Sequence, residues 1–123
     1  MCRFALLAGD DEPYVWDFGS AAVHHKLNCD WLDPTHCLPG VVGMRGTIPP
    51  SFGLMKHYAE EIASLLKKAG VLDMPVGVDY AETAMFFALQ EAGINVVDGQ
   101  QIMLGAREIK NIDEIHLLNQ AAA

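Results

Sequence analysis

The chain has 123 residues, 51% hydrophobic and 20% charged, a composition typical of one folded domain rather than of a disordered segment. Its formal net charge is −8 and no basic cluster exceeds Lys67-Lys68, so we expect no nucleic-acid partner. No stretch approaches the roughly 20 apolar residues that span a bilayer, and the first residues lack a secretory signal pattern, so we expect a cytoplasmic protein without a membrane partner.

The first predicted element is a β-hairpin. Residues 3–8 (RFALLA) are typical of a largely buried strand, and residues 14–18 have the aromatic and β-branched composition of a second strand. The intervening residues 9–13 (GDDEP) are turn formers. We expect Trp16, on the second strand, to lie in the core.

Residues 19–50 show no strong hydrophobic periodicity. A stretch of this length is typical of a functional loop, or it contains an element that the pattern does not reveal. A strand within residues 41–46 is one candidate for such an element. Otherwise we interpret the stretch as a long loop.

Part of this loop is rich in chemically active side chains. The potential ligands and nucleophiles of residues 24–37 are His24, His25, Cys29, Asp30, Asp33, His36 and Cys37. Structural zinc requires four ligands, usually in paired knuckles, and the irregular spacing here favours a surface loop with scattered polar residues. A cysteine–histidine nucleophile pair is a further alternative, against the commoner case of small buried thiols. We assign no catalytic residue and no metal ligand.

The clearest helix is predicted over residues 51–69. Pro49-Pro50 prevents an earlier start, Ser51 is a favourable N-cap, and Gly70 suits the left-handed position that follows a helix. The apolar residues at helical spacing, which we expect to face the core, are Leu54, Tyr58, Ile62, Leu65, Leu66 and Ala69.

A strand–helix–strand unit is predicted next. Residues 75–80 and 94–98 have the composition of short strands, and residues 81–92, closed by Gly93, that of a helix. A crossover helix between two strands favours a parallel pair with a right-handed connection. We expect Asp79 to cap this helix. The helical residues assigned to the core are Met85, Phe86, Phe87 and Leu89.

The last predicted helix begins with a capping box. The Asn111 side chain can accept from the amide of Glu114, whose carboxylate can reach back to the amide of Asn111. Apolar residues then recur at helical spacing, but the final alanines supply no stop signal. We expect this helix to continue into further chain, the alternative being a C-terminal helix that frays into solvent.

A family resemblance covers this region. Residues 94–98 and 107–115 (REIKNIDEI) resemble the junction in creatinase, prolidase and aminopeptidase P-like proteins, where an R-x-I-K-[ST]-x-x-E-[IL] segment opens the helix leading to the catalytic half. Asn111 stands where the family commonly has Ser or Thr and is an equally good N-cap. Residues 16–20 and 45–50 also resemble a branch with dimethylsulfoniopropionate lyase-like and ectoine hydrolase-like members.

The resemblance implies an α/β fold with a mixed sheet and flanking helices, the three-layer, ribonuclease H-like arrangement of creatinase N-terminal domains, present in part. Residues 1–110 would form that domain, incomplete at its N-terminus, and residues 111–123 would start a linker helix into an absent catalytic domain. The chain alone would not be an enzyme. Its parent would be a metallopeptidase-like hydrolase in which two Asp, one His and two Glu of the catalytic half hold two divalent ions (Mn, Co, Zn or Fe).

The implied role is accessory: dimerisation and shaping of the substrate pocket in a Xaa-Pro peptidase-like hydrolase. The expected partners are the missing catalytic domain and a second copy of the chain. By analogy, the pocket or interface residues are expected in the 24–45 loop, where Trp31 suits an interface or pocket wall and Arg45 suits an anion. The four selected residues are His24, His25, Trp31 and Arg45. A stand-alone interaction module and a small zinc-binding protein that uses residues 24–37 remain the alternatives.

Overall fold

A computed structural model describes residues 3–9, 11–40 and 50–122, which form a mixed α/β fold. The described strands are β1 (Phe4–Leu6), β2 (Tyr14–Asp17), β3 (Cys37–Pro39), β4 (Val76–Val78) and β5 (Val96–Asp98). The described α-helices are α1 (Gly19–Asn28), α2 (Leu54–Lys68), α3 (Thr83–Glu91), α4 (Gln100–Glu108) and α5 (Ile112–Ala122). Within these ranges, no helix has the length and apolarity that a membrane span requires.

The predicted hairpin is confirmed. Strands β1 and β2 pair antiparallel, with Phe4 opposite Trp16, and β3 adds to the other edge of β2 in parallel. Gly9 lies in the connecting turn with a φ of 67°, a left-handed conformation that costs glycine little.

The interpretation of residues 19–50 as a long loop was wrong for its first part. Helix α1 begins directly after β2, a 3₁₀ turn spans Pro34–His36, and β3 follows it. Helix α1 escaped prediction because its N-cap, Phe18, makes no side-chain capping bond and only Ala22 of the helix is buried. The suggested strand at residues 41–46 lies outside the described residues.

Helix α2 confirms the predicted element but begins later than expected. Ser51 belongs to a 3₁₀ turn, and the N-cap is Gly53, whose φ is 68°. The helix ends at Lys68, and Gly70 adopts the predicted left-handed conformation after it, with a φ of 73°. The Gly70 amide donates to the Lys67 carbonyl and the Val71 amide to the Leu66 carbonyl, the bond pattern of a Schellman motif.

The strand–helix–strand unit is also confirmed. Strands β4 and β5 pair in parallel and are connected through α3, and Gly93 follows α3 in a left-handed conformation with a φ of 82°. Asp79 does not cap α3, because the N-cap is Glu82. An alanine Cβ at Gly99 would lie 2.7 Å from the Gly77 carbonyl carbon, so the backbone after β5 approaches β4 too closely for a side chain.

The core lies between the hairpin, α2 and α3. Trp16 is fully buried, as predicted, stacks on Phe4 at 4.7 Å between ring centroids, and donates from Nε1 to Glu61 of α2 at 2.7 Å. The predicted core face of α3 is only partly correct. Leu89 is buried, but Phe86 is exposed and Phe87 is 58% exposed.

The segment after β5 differs from the body of the molecule. Every residue of α4 and α5 in the range 100–122 is exposed, and neither helix packs extensively against another element. The predicted capping box is present: Asn111 Oδ1 accepts from the Glu114 amide and Glu114 Oε2 from the Asn111 amide, both at 2.9 Å.

Candidate functional site

A buried carboxylate lies where β2 passes into α1. Asp17 is the last residue of β2, and only 2% of its surface is exposed, although the preceding Trp16 is also buried. Trp16 and Asp17 are both buried because the sheet and a helix meet here: β3 pairs with β2 on one side, and α1 follows β2 directly. An ionised carboxylate at such a position needs hydrogen-bond donors in place of water.

Three donors surround the Asp17 carboxylate. Arg3 Nε and the Phe18 backbone amide donate to Oδ1, at 2.7 and 2.8 Å. His25 Nε2 lies 3.0 Å from Oδ2. The Arg3 guanidinium also stacks over the Phe18 ring at 4.9 Å, which holds the arginine over this end of the strand.

The hydrogen bonds decide the charge of Asp17. Burial acts to raise the pKa of Asp17, but the bonds from Arg3, His25 and the Phe18 amide outweigh it, so the pKa lies below its ordinary value of 3.8. Asp17 is therefore an anion at neutral pH. Because a carboxylate only accepts, the proton in the His25–Asp17 contact is on His25 Nε2.

The other nitrogen of the same imidazole faces a thiol. His25 Nδ1 lies 3.6 Å from Cys29 Sγ, within hydrogen-bond reach of sulfur. The two residues are four positions apart at the end of α1, so one face of the helix presents both. With Nε2 protonated, a neutral His25 has its lone pair on Nδ1 and accepts from the Cys29 S–H. We call Arg3, Asp17, His25 and Cys29 the Asp17 cluster.

The second described cysteine is in a different environment. Cys37, on β3, is 1% exposed, and it is a free thiol, as is the half-buried Cys29. Burial raises the pKa of the Cys37 thiol, and the nearby Cys29 raises it further. Cys37 therefore matches the predicted small buried thiol, whereas Cys29 does not.

The sequence-selected residues have different positions. His25 belongs to the Asp17 cluster. His24 is exposed on the neighbouring face of α1, where Asn28 Nδ2 contacts its Nδ1 at 3.2 Å and donates to its carbonyl at 2.9 Å. Trp31 is 65% exposed in the turn after α1. Arg45 lies outside the described residues.

Sequence reasoning missed Asp17 and Arg3 altogether. Asp17 stood inside the predicted strand 14–18, beside an expected core residue, and its place at the strand end is visible only in the structure. The bond from Arg3 spans 14 residues and the one from His25 spans 8. Neither of these two contacts can be predicted from a local sequence pattern.

The region predicted to be rich in ligands does not assemble a metal site. Among the described residues, which include all of 24–37, no group of three or more His, Cys, Asp or Glu side chains is placed to hold an ion. In the Asp17 cluster, the carboxylate and the thiol contact opposite nitrogens of His25, so all three cannot converge on one point. The zinc-binding alternative has no structural support here.

A separate open cavity of about 340 Å³ lies near the start of β2 and the end of α2. Its wall includes Glu12, Lys68 and the stacked pair Tyr14–His36, whose ring centroids are 3.9 Å apart. His36 Nδ1 is buried there without a described hydrogen-bond partner. None of the Asp17 cluster lines this cavity.

A group of exposed apolar side chains lies on α4, α5 and their connection. We call it the C-terminal apolar surface, and its eight members are Ile102, Met103, Leu104, Ile109, Ile112, Ile115, Leu117 and Leu118. Ile109, between the helices, is 86% exposed. Side chains of this size grouped on neighbouring turns are typical of a surface that binds another protein or domain.

No protein-family model matches the chain, and no curated protein and no solved structure matches it significantly. The chemistry available to the described residues therefore rests on their geometry: a charge-oriented histidine beside a thiol, and a set of apolar side chains on α4 and α5 that no other described element covers.

Proposed function

We propose that this chain is a non-catalytic accessory domain whose C-terminal apolar surface packs against the catalytic half of a dinuclear-metal hydrolase that acts on Xaa-Pro peptides or related small substrates. The observation that carries the proposal is the exposure of that surface. In this role the chain forms a dimer, contributes part of the wall of the substrate pocket and keeps water out of it. The metal-bound catalytic half performs the hydrolysis.

The order of elements supports the proposal. The parallel β4–β5 pair across α3, followed by α4 and the capping box of α5, is compatible with the back half of a creatinase N-terminal-like domain. Residues 94–98 and 107–115, which include β5, the end of α4 and the start of α5, carry the family resemblance. In this segment, a guanidinium nitrogen of Arg107 lies 3.9 Å from Asp79 Oδ1, directly after β4, so the segment starts beside the β4–β5 pair.

The physics of α5 supports a covering partner. An isolated helix shorter than about 12–15 residues is marginal in water, and most helices in proteins gain stability by burying an apolar face. Ile112, Ile115 and Leu118 form such a face at helical spacing and are all exposed. Burying each of these side chains would contribute about 1.5–3 kcal/mol. A domain joined to α5 would provide that burial.

The first test is the DNA that flanks the coding sequence. We expect it to encode, in frame or as an adjacent gene, a half that carries two Asp, one His and two Glu in the family's metal-binding pattern. Flanking DNA without such a reading frame would contradict the proposal and favour a stand-alone interaction module.

The second test is direct binding between the two halves. The catalytic half should co-purify with this chain, and Ile112→Ser, Ile115→Ser and Leu118→Ser together should weaken binding by at least about a hundredfold. The matched control is Val23→Ser with Leu27→Ser, two equally exposed apolar residues on α1, which should leave binding unchanged. Equal loss in both variants would refute the assigned surface.

A third measurement tests the accessory role itself. The chain alone, supplied with Mn²⁺ or Co²⁺, should not hydrolyse Xaa-Pro dipeptides above the rate of metal and buffer. Enzyme-like turnover by the purified chain would refute a non-catalytic role.

A further inference from the structure

Cys29 is a half-buried thiol in a hydrogen-bonded cluster that the accessory role does not use. We propose that Cys29 is an activated thiol and a site of covalent modification by small disulfides, with His25 as its proton acceptor and Asp17 as the positioning residue for His25. The proposal is independent of the partner assigned to the C-terminal apolar surface.

The geometry supplies a complete proton path. Asp17 accepts from His25 Nε2 at 3.0 Å, which orients the imidazole and leaves Nδ1 toward Cys29 Sγ, 3.6 Å away. Asp17 itself is held by Arg3 and by the Phe18 amide, so the anion cannot turn away from the histidine without losing two further bonds. This order of thiol, imidazole and carboxylate is the arrangement that activates cysteine nucleophiles.

The reaction balances without a further oxidant. The Cys29 S–H proton moves to His25 Nδ1, and the thiolate attacks one sulfur of a disulfide R–S–S–R. A new S–S bond forms to Cys29, the S–S bond of the reagent breaks, and the leaving thiolate takes the proton from the imidazolium. The products are the mixed disulfide of Cys29 and one R–SH.

The structure also selects Cys29 over its buried neighbour. Cys37 is 1% exposed, and its thiol is disfavoured as an anion by burial, so a reagent in solution reaches Cys29 before Cys37. The position of Cys29 at the end of α1 is the negative end of the helix dipole, which opposes a thiolate. Activation must therefore come from His25, which makes a His25 variant decisive.

The experiment measures thiol reactivity in the full, reduced chain. The probe is dithiobis(nitrobenzoate), a small aromatic disulfide that releases a coloured thiolate, used at a series of values between about pH 5 and 8. Peptide mass spectrometry identifies which cysteine forms the mixed disulfide at early times. The same reaction in urea gives the rate of each cysteine in the unfolded chain.

We expect Cys29 to be modified before Cys37 and, near pH 6, at least about tenfold faster in the folded chain than in urea. His25→Asn should reduce the folded rate to that in urea. His24→Asn is the matched control, because His24 contacts Asn28 and not the thiol, and it should leave the rate unchanged. Circular dichroism verifies the fold, and His25→Gln is the second variant if His25→Asn loses helical signal.

Three results would overturn the proposal. They are a folded Cys29 that reacts no faster than in urea, a fast reaction that survives both His25 substitutions, and equal slowing by His24→Asn.

Discussion

Asp17 combines near-complete burial with a negative charge, and its three donors come from different parts of the chain. Arg3 precedes the hairpin turn, Phe18 starts α1, and His25 is in the last turns of that helix. The carboxylate therefore joins the first strand segment to α1 through bonds that are short and charge-assisted. Because Arg3 is 60% exposed, its share of this stabilisation is screened by solvent.

The lowered pKa of Asp17 predicts how stability depends on pH. A carboxylate whose pKa is lower in the folded than in the unfolded chain stabilises the fold at any pH above its pKa in the unfolded chain. This contribution is lost as the pH falls through its pKa in the folded chain. At neutral pH, Asp17→Asn should lower the free energy of unfolding by about 1–3 kcal/mol. The difference in the free energy of unfolding between wild type and variant should shrink as the pH falls below 3.8, the ordinary pKa of the carboxyl group.

Urea denaturation at a series of pH values from neutral to acid measures the free energy of unfolding of wild type and variant. The control is Asp30→Asn, an exposed carboxylate after α1, which should change the free energy of unfolding by no more than about 0.5 kcal/mol. A wild-type advantage over Asp17→Asn that stays constant from neutral to acid pH would contradict the assigned bonds.

Among the elements, β4 and β5 depend on a contact between two glycines. The Cβ of an alanine at Gly99 would meet backbone atoms of Gly77 and Val78 at 2.7 and 2.9 Å, and backbone cannot rotate out of the way as a side chain can. The approach brings the start of α4 against β4, with a bond of 3.0 Å from the Gly99 amide to the Val78 carbonyl. This glycine pair sets where α4 leaves the sheet.

Gly99→Ala should therefore lower the free energy of unfolding by about 1–3 kcal/mol, the usual cost of overpacking. Gly105→Ala, within α4 and with nothing within 4 Å of the added Cβ, is the control and should not lower the free energy of unfolding. Thermal unfolding of both variants measures the effect. A Gly99→Ala protein as stable as the control would show that the two strands separate at little cost.

In the whole molecule, a packed body and an exposed helical segment coexist. The hairpin, α2 and α3 share one core, which includes Trp16, Tyr58 and Leu89. No residue of α4 or α5 belongs to it, and all of range 100–122 is exposed. Within the described residues, the stability of α5 therefore rests on its capping box and on local helix formation.

Hydrogen–deuterium exchange tests this division. Amides of α4 and α5 in the chain alone should exchange at least about tenfold faster than those of α2, because elements without tertiary contacts open at little cost. Binding of the proposed catalytic half should then protect α5. Protection of α5 equal to that of α2 in the dilute chain would contradict the described exposure.

The sequence by itself determined the elements whose signals are local. Three such features were predicted correctly: the left-handed glycines that follow α2 and α3, the capping box that opens α5, and the parallel β4–β5 pair. Each depends on bonds between residues close along the chain or on a connection too long for a hairpin. Such features are set by backbone geometry and side-chain type alone.

Only the tertiary structure decided α1 and the Asp17 cluster. Helix α1 has neither a strong apolar period nor a side-chain cap, and it forms where the chain packs beside β2 and β3. The His25–Cys29 spacing was available as a pattern, but the carboxylate that orients the histidine was not. Contacts of this kind require the strand and helix to be assembled, because the burial that makes them strong exists only in the folded chain.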